Sequence, residues 1–161
     1  MTKPERPTPS DVVGARVREV RKRRGWTAAQ LAARCTEAGA PEITASVVTD
    51  LETGRRDKTT GRRRRNITVD ELLALALALD VAPVHLLAPL KEGAYWVTPG
   101  RAVKVGLLRH WIRGHEPLSD KTDRRTFFGE VPEQEWQPPP PPDAEAMRQF
   151  MEFVRSQQDG A

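Results

Sequence analysis

Residues 43–56 constrain the fold of this chain more than any other segment, because they carry start and stop signals for one short helix. Thr44 is a residue type that caps helix N-termini, and Gly54 suits the left-handed backbone that ends a helix. Between them, Val48 and Leu51 lie on one helical face, whereas small polar side chains occupy the opposite face. The segment therefore predicts a helix with one buried face and one exposed polar face.

Four further helices are expected around this segment. Two of them begin at a capping box, Thr27 with Gln30 and Thr68 with Glu71, in which each side chain serves the backbone N–H of the other residue. The second box precedes an alternating Leu and Ala run that also resembles a strand, but the cap and the helix propensity of both residue types favour a helix. The five predicted helices cover residues 11–24, 27 to about 39, 44–53, 68 to about 79 and 83–87.

The positive charge of the chain is concentrated in the half that carries this helical pattern. Residues 1–66 hold 16 of the 26 Lys and Arg residues but only 8 of the 22 Asp and Glu residues. A field of one sign steers polyanions toward that half. A basic run can also be an ordinary solvated surface, but a polar helix face flanked by arginines favours the major groove of DNA, with the arginines on phosphates.

The composition predicts a cytoplasmic protein without catalytic machinery. The single cysteine, Cys35, excludes an intramolecular disulfide and is expected in the core. No apolar run approaches the ~20 residues of a membrane-spanning helix, and residues 1–11 lack the apolar segment of a secretory signal. His85, His110 and His115 lack metal-ligand spacing, and no nucleophile-plus-base or phosphate-loop motif is present. We therefore expect no cofactor, no metal and no enzymatic activity.

The second half of the chain predicts a small extension over residues 94–136. Short strands are expected over residues 95–97 and 102–105, followed by a helical apolar stripe that ends at Gly114. Completion of the core is its expected role, and no polar constellation supports effector binding. Its aromatic content is too high for a plain linker and comprises Trp96, Trp111, Phe127, Phe128 and Trp136.

Different structures are expected at the two ends of the chain. Residues 1–10 are expected to form a disordered arm, and residues 137–142 a polyproline linker that is an extended spacer of ~15 Å. Residues 143–158 are expected to form an amphipathic helix, which at this length would be only marginally stable alone. The apolar stripe of this helix needs a surface to pack against, either on the rest of its own chain or on a partner chain. Because the rigid spacer would hold the helix away from its own chain, a partner is favoured. The stripe consists of Met147, Phe150, Met151 and Val154.

Five short motifs follow one another along residues 12–90. They are Gly25-Trp26-Thr27, Leu31-Ala32, Ser46-Val47-Val48, Leu51-Glu52-Thr53-Gly54-Arg55 and Leu72-Leu73-Ala74-Leu75-Ala76. In this order and spacing they resemble the Cro and phage-repressor type of helix-turn-helix domain, also called the xenobiotic-response-element family. The resemblance implies a mainly α fold, a compact five-helix bundle over residues 11–90 whose third helix is the recognition helix. The chain departs from the family in its long turn at residues 35–43 and in Ala28, where the family often has a Gln.

The resemblance also implies a set of site residues. Outward residues of the third helix would read base edges, and the arginines that follow it would contact phosphates or a minor groove. Ser and Thr hydroxyls and methyls give modest readout, because none makes a bidentate contact to a base. In the family pattern Glu52 pairs with Arg21, and that pair is structural. The expected DNA-binding residues are Thr27, Thr44, Ala45, Ser46, Thr49, Asp50, Thr53, Arg55, Arg56, Lys58, Arg62, Arg63, Arg64 and Arg65.

These expectations favour a sequence-specific regulator that binds double-stranded DNA, a repressor or control protein of a bacterium or mobile element. A homodimer would match a two-fold symmetric DNA site. Two alternatives stay open. One is a protein-interaction adapter or antitoxin-like control subunit that docks through its C-terminal helix, and the other is an RNA binder that uses the arginine run at residues 62–65.

Overall fold

A computed structural model describes residues 6–57, 59, 61 and 63–130. These residues are mainly helical, with one small antiparallel sheet of two strands. The chain divides into two compact units, residues 1–122 and 123–161. Among the described helices, none combines the length and apolar character needed to cross a membrane. The elements are α1 (Pro9–Arg23), α2 (Ala28–Glu37), α3 (Ala45–Thr53), α4 (Val69–Ala78), α5 (Pro83–Leu87), β1 (Ala94–Thr98), β2 (Arg101–Lys104), α6 (Val105–Ile112) and α7 (Arg124–Gly129).

Threonine side chains fix the starts of α2, α3 and α4, as the sequence predicts. Thr27, Thr44 and Thr68 each precede their helix, and each hydroxyl accepts a hydrogen bond from the backbone N–H three residues later. Gln30 and Glu71 complete the two predicted capping boxes by accepting from the backbone N–H of the cap residue. The alternating Leu and Ala run after Thr68 is therefore a helix and not a strand.

Helix α1 begins earlier than the sequence analysis places it. Thr8 and Asp11 form a third capping box, and Pro9 occupies the first helical position, where its missing N–H costs nothing. The helix therefore starts at Pro9, two residues before the predicted residue 11. The last residues of the expected arm over residues 1–10 belong to the cap and first turn of α1.

The connection between α2 and α3 is long, in agreement with the sequence. Helix α2 ends at Glu37 and α3 begins at Ala45. Gly39 adopts a φ of +89°, which lets the chain reverse after α2. Ala40 and Ile43 are buried, so the connection packs down onto the helical core.

Helices α1 to α5 bury one apolar core. Cys35 lies in it, as predicted, and burial together with the nearby Glu42 carboxylate raises the pKa of its thiol to about 11. A thiol with this pKa is protonated and unreactive at neutral pH. The largest buried side chains of the core are Val17, Leu31, Ile43, Val48, Leu51, Leu75, Leu79 and Leu86.

The hairpin of β1 and β2 builds a second apolar cluster with α6. Tyr95 from β1 and Val105 and Leu108 from α6 are buried together, and Val12 of α1 packs against them. The strands lie close to their predicted positions, but Val105 begins α6 and does not extend β2. Because Val12 contributes to this cluster, the hairpin and α6 pack on the helical core.

The tip of the hairpin also contacts the chain just before α1. The guanidinium carbon of Arg6 lies 3.8 Å from the ring centroid of Trp96, and its Nη1 donates to the Pro99 carbonyl oxygen at 3.2 Å. A cation over the face of an indole is attracted by the ring quadrupole. Residues before α1 are therefore attached to the hairpin.

The predicted extension over residues 94–136 is divided between the two units. The hairpin and α6 belong to the first unit, whereas α7 belongs to the second. Within α7 the rings of Phe127 and Phe128 pack edge to face, with centroids 5.1 Å apart. The linker, the predicted helix over residues 143–158 and its stripe of Met147, Phe150, Met151 and Val154 lie outside the described residues, as does Trp136.

Helices α1 and α3 approach each other closely at Gly14. A Cβ added to Gly14 would lie 2.3 Å from the carbonyl oxygen of Leu51 and 3.3 Å from its carbonyl carbon. Because this clash is with backbone, rotation of a side chain cannot relieve it. Gly14 therefore sets the distance between α1 and α3.

The variant Gly14→Ala should be less stable than the wild type by about 1–3 kcal/mol, the usual cost of overpacking, even though Ala is the better helix former. Urea unfolding measures the change. Gly106→Ala is the matched control, since a Cβ on that helical glycine would meet only the Glu92 side chain, at 3.5 Å. Equal stability of Gly14→Ala and the wild type would contradict a tight crossing.

Candidate nucleic-acid interface

The polar face of α3 points away from the core, as the sequence predicts. Thr44, Ser46, Thr49 and Thr53 are exposed, whereas Val48 and Leu51 on the opposite face are fully buried. Ala45 and Asp50 are half-buried at the edges of the exposed face. The predicted base-reading residues of α3 therefore form one continuous surface of small polar side chains.

The hydroxyl groups on this face are not equivalent. Thr49 donates to the Ala45 carbonyl oxygen at 2.9 Å, and Thr53 donates to the Thr49 carbonyl oxygen at 2.8 Å. The Thr44 hydroxyl accepts from the Val47 N–H as the helix cap. The Ser46 hydroxyl makes no hydrogen bond within the described part of the chain, so it is the one on this face that can most readily donate to a ligand.

The described residues at the two ends of the basic segment after α3 pair with each other. Arg56 pairs with Arg63 in an isolated antiparallel bridge, and the Arg64 N–H donates to the Arg55 carbonyl oxygen at 2.8 Å. Arg56 also donates through Nη1 to the Gly61 carbonyl oxygen at 3.0 Å. Residues 63 and 64 thus lie beside residues 55 and 56, close to the end of α3.

Arg63 is a structural residue, which corrects its expected role in phosphate contact. Its side chain is only 4% exposed. Its guanidinium donates to Asp11 Oδ1 at 3.0 Å through Nη1 and to the Leu51 carbonyl oxygen at 2.5 Å through Nη2. Since Leu51 has one of the last carbonyls of α3, Arg63 places a positive charge at the negative end of that helix. We call Arg63, Asp11 and the Leu51 carbonyl the Arg63 junction.

The Asp11 carboxylate is held in its charged form at this junction. Its burial alone would raise its pKa, but hydrogen bonds from Thr8 and Arg63 and the charge of Arg56 outweigh burial and lower the pKa below the ordinary value of 3.8. The nearest Arg56 nitrogen lies 3.4 Å from Asp11 Oδ2. Arg56 is therefore also engaged within the protein.

Two of the predicted phosphate-binding arginines face outward next to α3. Arg55 is 70% exposed and lies 3.9 Å from the Asp50 carboxylate. Arg64 is exposed, and both arginines line one small pocket together with Asp50 and Arg65. Arg65 also forms an ion pair with Glu71 in the capping box of α4. The loop therefore brings Arg55 and Arg64 alongside the recognition face predicted for α3.

Three predicted contact residues remain, Thr27, Lys58 and Arg62. Thr27 is exposed at the start of α2, where it shares its capping box with Gln30 and lies on a helix that packs against α3. Lys58 and Arg62 lie outside the described residues, so the structure gives no position for either side chain. Of the predicted arginines, Arg55 and Arg64 are thus the two whose described geometry suits a phosphate contact.

The predicted pair of Arg21 and Glu52 is present and bidentate. Arg21 Nε and Nη2 donate to the two Glu52 carboxylate oxygens, both at 2.6 Å, and Nη1 donates to the Trp26 carbonyl oxygen at 2.6 Å. The two side chains are 12% and 5% exposed, respectively. The pair therefore joins α1, the start of α2 and α3 in one buried polar contact.

Sequence reasoning missed two polar contacts that join α1 to distant parts of the bundle. Arg16 is buried, and its Nε donates to the His85 carbonyl oxygen at 3.1 Å, which ties α1 to α5. Ser10 accepts from the Ile67 N–H at 3.0 Å, which ties α1 to the residues before α4. Their partners lie far away in sequence, so no local pattern identifies either residue.

The charge reversal Glu52→Lys should lower the free energy of unfolding by about 3–5 kcal/mol, because Arg21 keeps a buried charge without a partner. Thermal unfolding at fixed salt checks the change. The matched control is Glu37→Lys, which breaks the exposed pair with Arg34, 3.7 Å apart, and should change stability by less than about 1 kcal/mol. A Glu52→Lys melt that matched the wild type would contradict the structural role of the pair.

Arg63→Gln should also destabilise the protein, by about 1–3 kcal/mol, since the Leu51 carbonyl and Asp11 lose a buried donor. Arg64→Gln, one residue away and exposed, should stay within about 0.5 kcal/mol of the wild type. Urea unfolding of both variants tests the assignment. The reverse order of stabilities would mean that Arg64, and not Arg63, holds the loop.

Comparison with known proteins identifies no relative of this chain. No family model matches the chain, and neither curated proteins nor solved structures give a significant match.

Proposed function

We propose that this chain is a sequence-specific regulator that binds double-stranded DNA through a repressor-like helix-turn-helix, with α3 in the major groove. The single observation that carries the proposal is the exposed polar face of α3 beside the outward arginines Arg55 and Arg64. Small polar side chains can approach base edges closely, and guanidinium groups at the rim are suited to the phosphates on either side of a groove.

The construction of the loop supports this assignment. Disordered arginines would lose conformational freedom on binding, whereas the Arg63 junction already holds Arg55 and Arg64 next to α3. The excess of positive charge in residues 1–66 would add attraction at long range, and binding should weaken steeply as salt is raised.

The hydroxyl groups of α3 should make different kinds of contact with DNA. Ser46 supplies a hydroxyl that can donate to a base, whereas Thr49 and Thr53 already donate to their own helix and are left to accept or to make methyl contacts. Readout by this face is therefore modest. Arg55 and Arg64 supply affinity that does not depend on sequence.

Selection of bound fragments from random duplex DNA tests the proposal, and wild-type protein should enrich one sequence. The double variant Ser46→Ala, Thr49→Ala should enrich a different or less defined sequence, because these side chains contact bases. If that variant keeps the wild-type preference, α3 is not the reading helix.

Arg64→Gln should weaken binding to all duplexes by a similar factor and reduce the slope of log K against log salt by about 1, the loss of one phosphate contact. Arg113→Gln, at an exposed arginine following α6, is the control and should leave both quantities unchanged. Competition with structured RNA belongs to the same assay. Tighter binding to RNA than to the selected duplex would replace the DNA proposal by the RNA alternative.

A further inference from the structure

Helix α3 carries a row of methyl groups along its outward face. Ala45, Thr49 and Thr53 follow one another at intervals of four residues, so their side chains lie on one side of the helix. Thr49 and Thr53 are exposed, and Ala45 is half-buried. Successive members lie ~6 Å apart along the axis, so the row extends from the first to the last residue of α3. We call Ala45, Thr49 and Thr53 the methyl row.

Hydrogen bonds within the helix make this row apolar, although two of its members are threonines. The Thr49 hydroxyl donates to the Ala45 carbonyl oxygen at 2.9 Å, and the Thr53 hydroxyl donates to the Thr49 carbonyl oxygen at 2.8 Å. When a threonine hydroxyl turns onto the backbone in this way, the γ-methyl group is left to face the solvent. The methyl row therefore presents a line of methyl groups, with the exposed Ser46 hydroxyl beside it.

We propose that the methyl row reads the C5-methyl group of pyrimidines in the major groove, and that α3 thereby selects sites with thymine. This inference rests on the proposed function and adds the class of sequence that the site would take. Thymine is the one unmodified base with a methyl group in the major groove, where Ala and Thr methyl groups contact it. Each such contact should raise the affinity about fourfold, the factor that corresponds to burying one CH2 group.

A neighbouring carboxylate favours the same base pair. Asp50 lies at the edge of the outward face, half-buried and 3.9 Å from Arg55. A carboxylate only accepts hydrogen bonds, and in the major groove guanine presents acceptors alone, whereas adenine presents an amine donor. An A·T pair therefore offers a donor to Asp50 and a methyl group to the methyl row. This favours thymine over 5-methylcytosine, whose partner is guanine.

Removal of the methyl group from the DNA tests the inference directly. The duplex that wild-type protein enriches is compared with the same duplex carrying uracil in place of thymine, which loses the C5-methyl group but keeps every hydrogen-bonding group. Uracil should weaken binding about fourfold at each thymine that the row contacts, as measured by fluorescence anisotropy at fixed salt. In a second arm, 5-methylcytosine with guanine opposite replaces the same thymines. Tighter binding in that arm would make methylated cytosine, and not thymine, the source of the methyl group.

Two substitutions at one position separate the methyl group from the hydroxyl. Thr49→Ser keeps the hydroxyl and removes the γ-methyl group, so the ratio of thymine to uracil affinity should fall about fourfold. Thr49→Val keeps a methyl group in place of the original one and removes the hydroxyl, so this ratio should stay as in the wild type. The matched control is Thr36→Ser on α2, where the Thr36 hydroxyl donates to the Ala32 carbonyl oxygen at 3.2 Å. It should leave both the affinity and the ratio unchanged.

The outcomes separate this inference from the proposed function. Equal affinity for the thymine and uracil duplexes would overturn the inference, as would a ratio that Thr49→Ser and Thr49→Val change alike. If the double variant Ser46→Ala, Thr49→Ala alters the selected sequence while uracil has no effect, α3 reads bases through other groups and the proposed function stands. If selection enriches no duplex at all, the proposed function fails and the inference fails with it.

Discussion

The arrangement of the candidate interface depends on one buried guanidinium. Arg63 joins three parts of the chain that are distant in sequence: the cap of α1 through Asp11, the end of α3 through the Leu51 carbonyl, and its own loop through the Arg65 carbonyl. The approach of α1 to α3 at Gly14 leaves space for this contact, and Gly54 must lack a Cβ because one would lie 2.6 Å from Arg63 Nη1. A buried charge with three acceptors is stable in this position only as long as all of them stay in place. Together with the bridge between Arg56 and Arg63, these contacts hold the described ends of the arginine-rich segment beside α3.

Local signals in the sequence were enough to predict most of the helical framework. Capping boxes mark the starts of two helices, at Thr27 and Thr68, and the left-handed Gly54 marks the end of α3. These signals involve residues within four positions of one another, so they can be recognised without any tertiary structure. The division of α3 into a buried and an exposed face also follows from spacing alone. The pairing of Arg21 with Glu52 was predicted from a family pattern, because nothing in the local sequence connects residues 31 positions apart.

The rest of the site could not be predicted, because it depends on contacts across the fold. Four consecutive arginines at 62–65 have nearly the same local sequence, and Arg63 is held in place by acceptors from other parts of the fold, Asp11, 52 residues earlier in the chain, and the Leu51 carbonyl oxygen. The same limit applies to Arg16, whose partner is a carbonyl on α5, and to the division of the extension after Thr122. The earlier start of α1 is a different case. Its capping box uses Asp where the common pattern has Glu or Gln, so a broader pattern would have found it.

The lowered pKa of Asp11 determines how the junction responds to acid. A carboxyl group whose pKa is lower in the folded than in the unfolded state adds stability that is complete above the ordinary value of 3.8 and is lost as the pH falls through the folded-state value. Arginine stays protonated throughout this range. Mild acidification, from about pH 8 to about pH 5, therefore leaves the Asp11 carboxylate ionised. A protein with this junction cannot use Asp11 and Arg63 to sense such a change, and any signal that moves the basic loop has to act by another route.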